Sequence, residues 1–65
     1  MPKFPDITVQ LTGTSSNTLL MVGQVHTALK RARVPEGQCE EFFDEALSGD
    51  ADHALQTCMA WVDVT

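Results

Sequence analysis

Residues Ile7-Thr8-Val9-Gln10-Leu11-Thr12 alternate apolar and polar side chains without a break. A comparable alternation returns only in the closing residues, Trp61-Val62-Asp63-Val64-Thr65. Period-two patterning with β-branched residues is the signature of a half-buried strand. Between the two runs, apolar residues recur at helical spacing. A chain with one strand at each end can build only a two-stranded sheet, and that sheet closes only if the two ends meet. The expected fold is therefore α+β, in the order β-α-α-α-β. Short connections predict that consecutive elements reverse direction, which gives three short helices packed on a minimal two-stranded antiparallel sheet.

Pro5 is expected to stop any earlier ladder, leaving residues 1–5 as a flexible N-terminal arm of a single domain over 1–65. Ile7, Val9 and Leu11 are expected to face the core. The turn residues Gly13-Thr14-Ser15-Ser16-Asn17 end the strand, and Ser16 or Asn17 is placed to cap the first helix. That helix is predicted from about Thr18 to Arg33, with Met21, Val22, Val25, Ala28, Leu29 and Ala32 on one face. Lys30, Arg31 and Arg33 sit in its last turn, where cations suit the negative end of the macrodipole. Pro35 forces Val34 out of the helical region and can open a second helix. There Cys39, Phe42, Phe43, Ala46 and Leu47 form a dense apolar face, and Gly49 is expected as a left-handed terminator. Asp50 caps a third helix, whose apolar stripe is predicted at Ala51, Leu55, Cys58, Met59 and Val62.

Size sets the energetic problem. A 65-residue chain buries about 60% of the surface it exposes when unfolded, and a core that small supplies roughly 3–5 kcal/mol net unless something staples it. Two cysteines, Cys39 and Cys58, do not make a disulfide framework. No cofactor is expected. The remaining staple is a second copy of the chain, so a homodimer that covers a sheet edge is an expectation. No uncharged apolar run nears the roughly 20 residues that span a bilayer, and the opening residues carry no apolar leader segment. The expected setting is cytoplasmic, with no membrane partner.

The net charge of -5 is unevenly placed. Residues 1–34 hold Lys3, Lys30, Arg31 and Arg33 against Asp6, whereas residues 35–65 hold eight acids and no Lys or Arg. The acidic half repels nucleic acid, although net charge of this size also serves plain solubility. A strand followed by helices admits a ribbon-helix-helix reading, with Thr8 and Gln10 as base contacts and Lys30, Arg31 and Arg33 as phosphate contacts. The absence of basic residues from the strand makes this the weaker reading.

No Gly-rich phosphate loop or nucleophile elbow occurs, and so short a chain has little room for a pocket of several hundred Å3. An enzyme is not expected. Cys39 and Cys58 fall opposite each other if the second and third helices pack antiparallel, which admits a metal- or redox-responsive module. Two small buried hydrophobes is the commoner state of such residues. Two histidines, His26 and His53, and two cysteines are present with no CxxC or HxxxH spacing for a tetrahedral zinc site, and no metal ligand is assigned. Leu20 and Gly23 lie roughly opposite the Val22/Val25/Leu29 stripe, with Thr27 beside them. That face either receives another chain or packs inside the fold. Trp61 likewise either closes the core or anchors an interface.

Val9-Gln10-Leu11-Thr12-Gly13, Ala28-Leu29-Lys30-Arg31-Ala32, Ser48-Gly49-Asp50, Asp52-His53 and the stretch Leu55-Gln56-Thr57-Cys58-Met59 closing on Trp61-Val62 resemble a group of small uncharacterised proteins of actinobacteria and their phages. The resemblance runs over nearly the whole chain. It implies a cytoplasmic setting and, for a phage protein, a host protein as partner. It implies no activity. The combined expectation is a small non-enzymatic protein-interaction module with Leu20, Gly23, Thr27 and Trp61 as its candidate interface.

Overall fold

The computed structural model describes residues 2–10 and 18–65. Five elements follow in order: β1 (Phe4–Val9), α1 (Thr18–Arg31), α2 (Glu36–Ala46), α3 (Ala51–Trp61) and β2 (Val62–Val64). The β-α-α-α-β order matches the sequence. The sheet does not: β1 and β2 are parallel, not antiparallel. Parallel strands require a long crossover, and the three helices together form it. The antiparallel expectation assumed that chain direction carries straight from α3 into β2. No loop joins them. Val62 is at once the cap of α3 and the first residue of β2, with φ -134° and ψ 167°, so the chain turns a corner within one residue.

β1 also begins earlier than the alternation suggests. Phe4 pairs with Val62, Thr8 with Asp63 and Val9 with Val64, with an irregularity between Phe4 and Thr8. Pro5 lies within that irregular stretch, where its missing N–H disturbs no regular ladder. Phe4 and Pro5 therefore belong to the strand, inside the stretch expected to be an arm. Lys3 is tied down as well, its N–H donating to the Ala60 carbonyl at 3.0 Å. Ile7 is half-buried and Val9 buried, as the alternation implies. Leu11, Thr12 and the expected cap residues Ser16 and Asn17 lie outside the described residues.

α1 buries Val22, Val25 and Leu29, and Ala32 is exposed. The helix stops at Arg31, two residues short of expectation, because Arg33 adopts a left-handed φ of 64°. The Val34 N–H reaches the Leu29 carbonyl at 3.1 Å and the Arg33 N–H reaches Lys30 at 3.0 Å. These are the two bonds of a Schellman terminus, here built without glycine. α2 buries Cys39, Phe42 and Ala46; Phe43 is half-buried and Leu47 exposed. Its end is not a glycine terminus, because the φ of Gly49 is outside the left-handed range.

Asp50 caps α3 as expected, accepting from the His53 N–H at 2.9 Å. The buried stripe of α3 differs from the predicted one: it is Ala54, Thr57, Cys58 and Trp61, while Ala51, Leu55 and Met59 are exposed. Trp61, the largest apolar side chain, sets the face. Thr57 can join it because its hydroxyl donates to the His53 carbonyl at 2.8 Å. Trp61 is 3% exposed. Its ring stands 5.6 Å from Phe42, edge-on, and 5.9 Å from Phe4. The Lys3 ammonium lies 4.1 Å above it. β1, α2 and α3 thus meet at this aromatic cluster.

Candidate interaction site

A groove of about 850 Å3 runs between β1 and α1. This is more space than so short a chain was expected to leave. Its floor follows Asp6 to Val9 of β1 and the adjoining Gln10, and its other wall is the α1 face carrying Leu20, Gly23, Thr27 and Arg31. Leu20, Gly23 and Thr27 therefore line one site, as their helical spacing suggests. Leu19 and Leu20 are 60% and 54% exposed. Gly23 leaves a notch: among the described residues a Cβ placed there meets nothing within 4 Å. A second exposed apolar pair, Leu55 and Met59, lies one turn apart on α3.

Trp61 does not join the groove. Its ring is enclosed by Phe4, Phe42 and Lys3, so it closes the core. The residues of the nucleic-acid reading divide. Thr8, Gln10 and Arg31 line the groove, while Lys30 and Arg33 are exposed near the end of α1. A ribbon-helix-helix arrangement pairs strands of two subunits, whereas this β1 pairs in parallel with β2 of its own chain.

Cys39 and Cys58 are both free and buried. The Cys39 thiol donates to the Val34 carbonyl at 3.6 Å. Burial pushes the Cys58 thiol up to about 11, opposed in part by a backbone hydrogen bond. Reactive thiols sit in partly exposed, electropositive surroundings that favour the thiolate, and Cys58 has the opposite environment. Among the described residues no group of three or more His, Cys, Asp or Glu is placed to hold a metal ion.

His53 is used within the backbone framework. Its Nε2 lies 2.9 Å from the Glu45 carbonyl and 3.3 Å from Ser48 Oγ. A carbonyl only accepts, so Nε2 carries the proton. The imidazole of α3 thereby joins the Ser48 N–H and hydroxyl on the Glu45 carbonyl at the end of α2. The His26 ring lies 5.2 Å from that of Phe43, tilted by 58°, beside Glu40 and Asp44 around a smaller cavity of about 420 Å3.

No family model, curated protein or solved structure matches this chain. Among the described residues no helix is long and apolar enough to cross a membrane.

Proposed function

We propose that this chain is a small non-enzymatic protein-interaction module that contacts its partner through the groove between β1 and α1. The observation that carries this reading is the groove itself, with exposed leucines at one end and the Gly23 notch in its wall. A glycine inside a helix costs about 1 kcal/mol relative to alanine, and at position 23 no close packing among the described residues calls for one. Departures from local folding rules that bring no internal gain are found at functional sites. Exposed apolar residues gathered in one concavity likewise mark contact surfaces.

Affinity capture from extracts of the native cell tests this reading, with Leu20→Asp as the control. A protein retained by the wild-type chain and lost by Leu20→Asp, with equal helicity of the two baits by circular dichroism, is the expected result. Equal capture by both baits removes the groove from the contact. A salt-dependent shift of random DNA at low ionic strength would instead favour the nucleic-acid reading through Lys30, Arg31 and Arg33.

A further inference from the structure

We propose that the groove takes an extended segment of a partner protein, added as a third strand along the outer edge of β1, with an acidic residue of that segment beside Arg31. The inference rests on the interaction reading above and gives it a binding mode.

The Val9 carbonyl accepts from the Thr65 N–H at 3.0 Å, so Val9 turns its backbone groups toward β2. Successive residues of a strand direct their N–H and C=O to alternate sides. Thr8 therefore directs its own N–H and C=O to the opposite edge. Among the described residues β1 pairs with β2 alone, and the groove follows that open edge through five consecutive residues. Parallel sheets are usually covered on both faces, yet here Thr8, Gln10 and Asp63 are exposed. A strand edge offers backbone donors and acceptors to an extended chain. The body of a helix has no free backbone groups with which to use them.

The dimensions agree. The five residues from Asp6 to Gln10, four of them in β1, span roughly 16 Å at about 3.3 Å each. The α1 wall from Leu20 to Arg31 spans about the same length at 1.5 Å per residue. Gly23 stands one turn in from the Leu20 end of that wall, so an incoming side chain can approach the helix backbone there. Charge sets the polarity. Asp6 and Arg31 mark one end of the groove, and exposed Lys30 and Arg33 stand nearby. Three cations against one carboxylate favour an acidic residue at that end.

Selection of random heptapeptides displayed on phage against the immobilised full chain tests the inference. Enriched peptides are expected to alternate apolar residues and to carry Asp or Glu toward one end. They should bind Gly23→Trp at least tenfold more weakly than wild type, bind Gly23→Ala nearly unchanged, and protect the Thr8 amide from hydrogen exchange. Arg31→Glu should reverse the charge preference. Thr27→Trp, one turn along the same wall, serves if Gly23→Trp fails to fold. Enrichment of peptides with apolar residues at i, i+3 and i+4, or no enrichment over bare support, overturns the inference. So does sedimentation showing a dimer that Gly23→Trp dissociates, because a second copy then fills the groove. If capture remains sensitive to Leu20→Asp while peptide selection fails, strand addition falls and the interaction reading stands.

Discussion

A Cβ added to Gly49 would lie 2.8 Å from Cγ of the His53 ring and 2.9 Å from its Cβ. Gly49 is thus required by close approach, not by a left-handed backbone. The ring cannot simply swing away, because its Nε2 is held by the Glu45 carbonyl at 2.9 Å. Gly49→Ala is expected to destabilise the fold by about 1–2 kcal/mol, in the range for a strained contact or a lost hydrogen bond. The loss should shrink, without vanishing, in a His53→Ala background, since the ring is gone but the residue 53 Cβ remains. Urea midpoints of the two single variants and the double variant measure the coupling. Strict additivity would show that the ring is not the obstacle.

Arg33 presents the reverse case. It occupies a left-handed position with φ 64°, where a non-glycine residue costs roughly 1–2 kcal/mol. The surrounding Schellman bonds, Val34 to Leu29 and Arg33 to Lys30, hold it there. Arg33→Gly keeps those bonds and removes the strain, while raising the entropy of the unfolded chain. A net gain of about 0.5–1 kcal/mol is expected in chemical denaturation. Arg33→Val, β-branched at the same position, should lose stability. If both substitutions are neutral, the left-handed conformation is not a determinant of the α1 end.

The helical part of this architecture was legible because periodicity reports burial directly. The Val22/Val25/Leu29 and Cys39/Phe42/Ala46 stripes are those the spacing predicts. On α3 the same method chose Leu55 and Met59 over Thr57 and Trp61, because a threonine does not count as apolar until its hydroxyl is seen to bond His53. The sheet was least legible. Its strand direction is decided at Trp61–Val62, where no turn residues exist to read. For the groove, the sequence supplied one wall: Leu20, Gly23 and Thr27 share a helix face by spacing alone. The opposite wall, the open edge of β1, follows from which neighbour β1 pairs with, a long-range fact with no local signal.

The aromatic cluster should decide whether the chain folds at all. Phe42 is fully buried and meets Trp61 edge-on at 5.6 Å. Truncating a buried Phe costs about 3–5 kcal/mol, which equals the net stability expected of a core this small. Phe42→Ala is therefore expected to populate the unfolded state without denaturant. Trp61, the single tryptophan, reports it: emission should shift to the red in Phe42→Ala and remain blue-shifted in Phe42→Leu. A folded, cooperatively melting Phe42→Ala would mean that stability comes from elsewhere.

The Cys58 thiol gives the fold a pH dependence with a defined sign. Burial raises it from an ordinary value of 9.0 to about 11 in the folded chain, whereas an unfolded chain titrates it near the ordinary value. Above pH 9 the folded state thus binds more protons than the unfolded state, and stability falls as pH rises. The contribution is complete below pH 9 and is lost progressively between pH 9 and 11. Urea midpoints at pH 8, 9, 10 and 11 should decline more steeply for the wild-type chain than for Cys58→Ala, whatever the offset that the smaller side chain introduces. The same burial predicts slow labelling of Cys58 by a thiol reagent at pH 8 in the native state and prompt labelling in urea. Parallel pH slopes for the two proteins, or prompt native labelling, would place the Cys58 sulfur in contact with solvent.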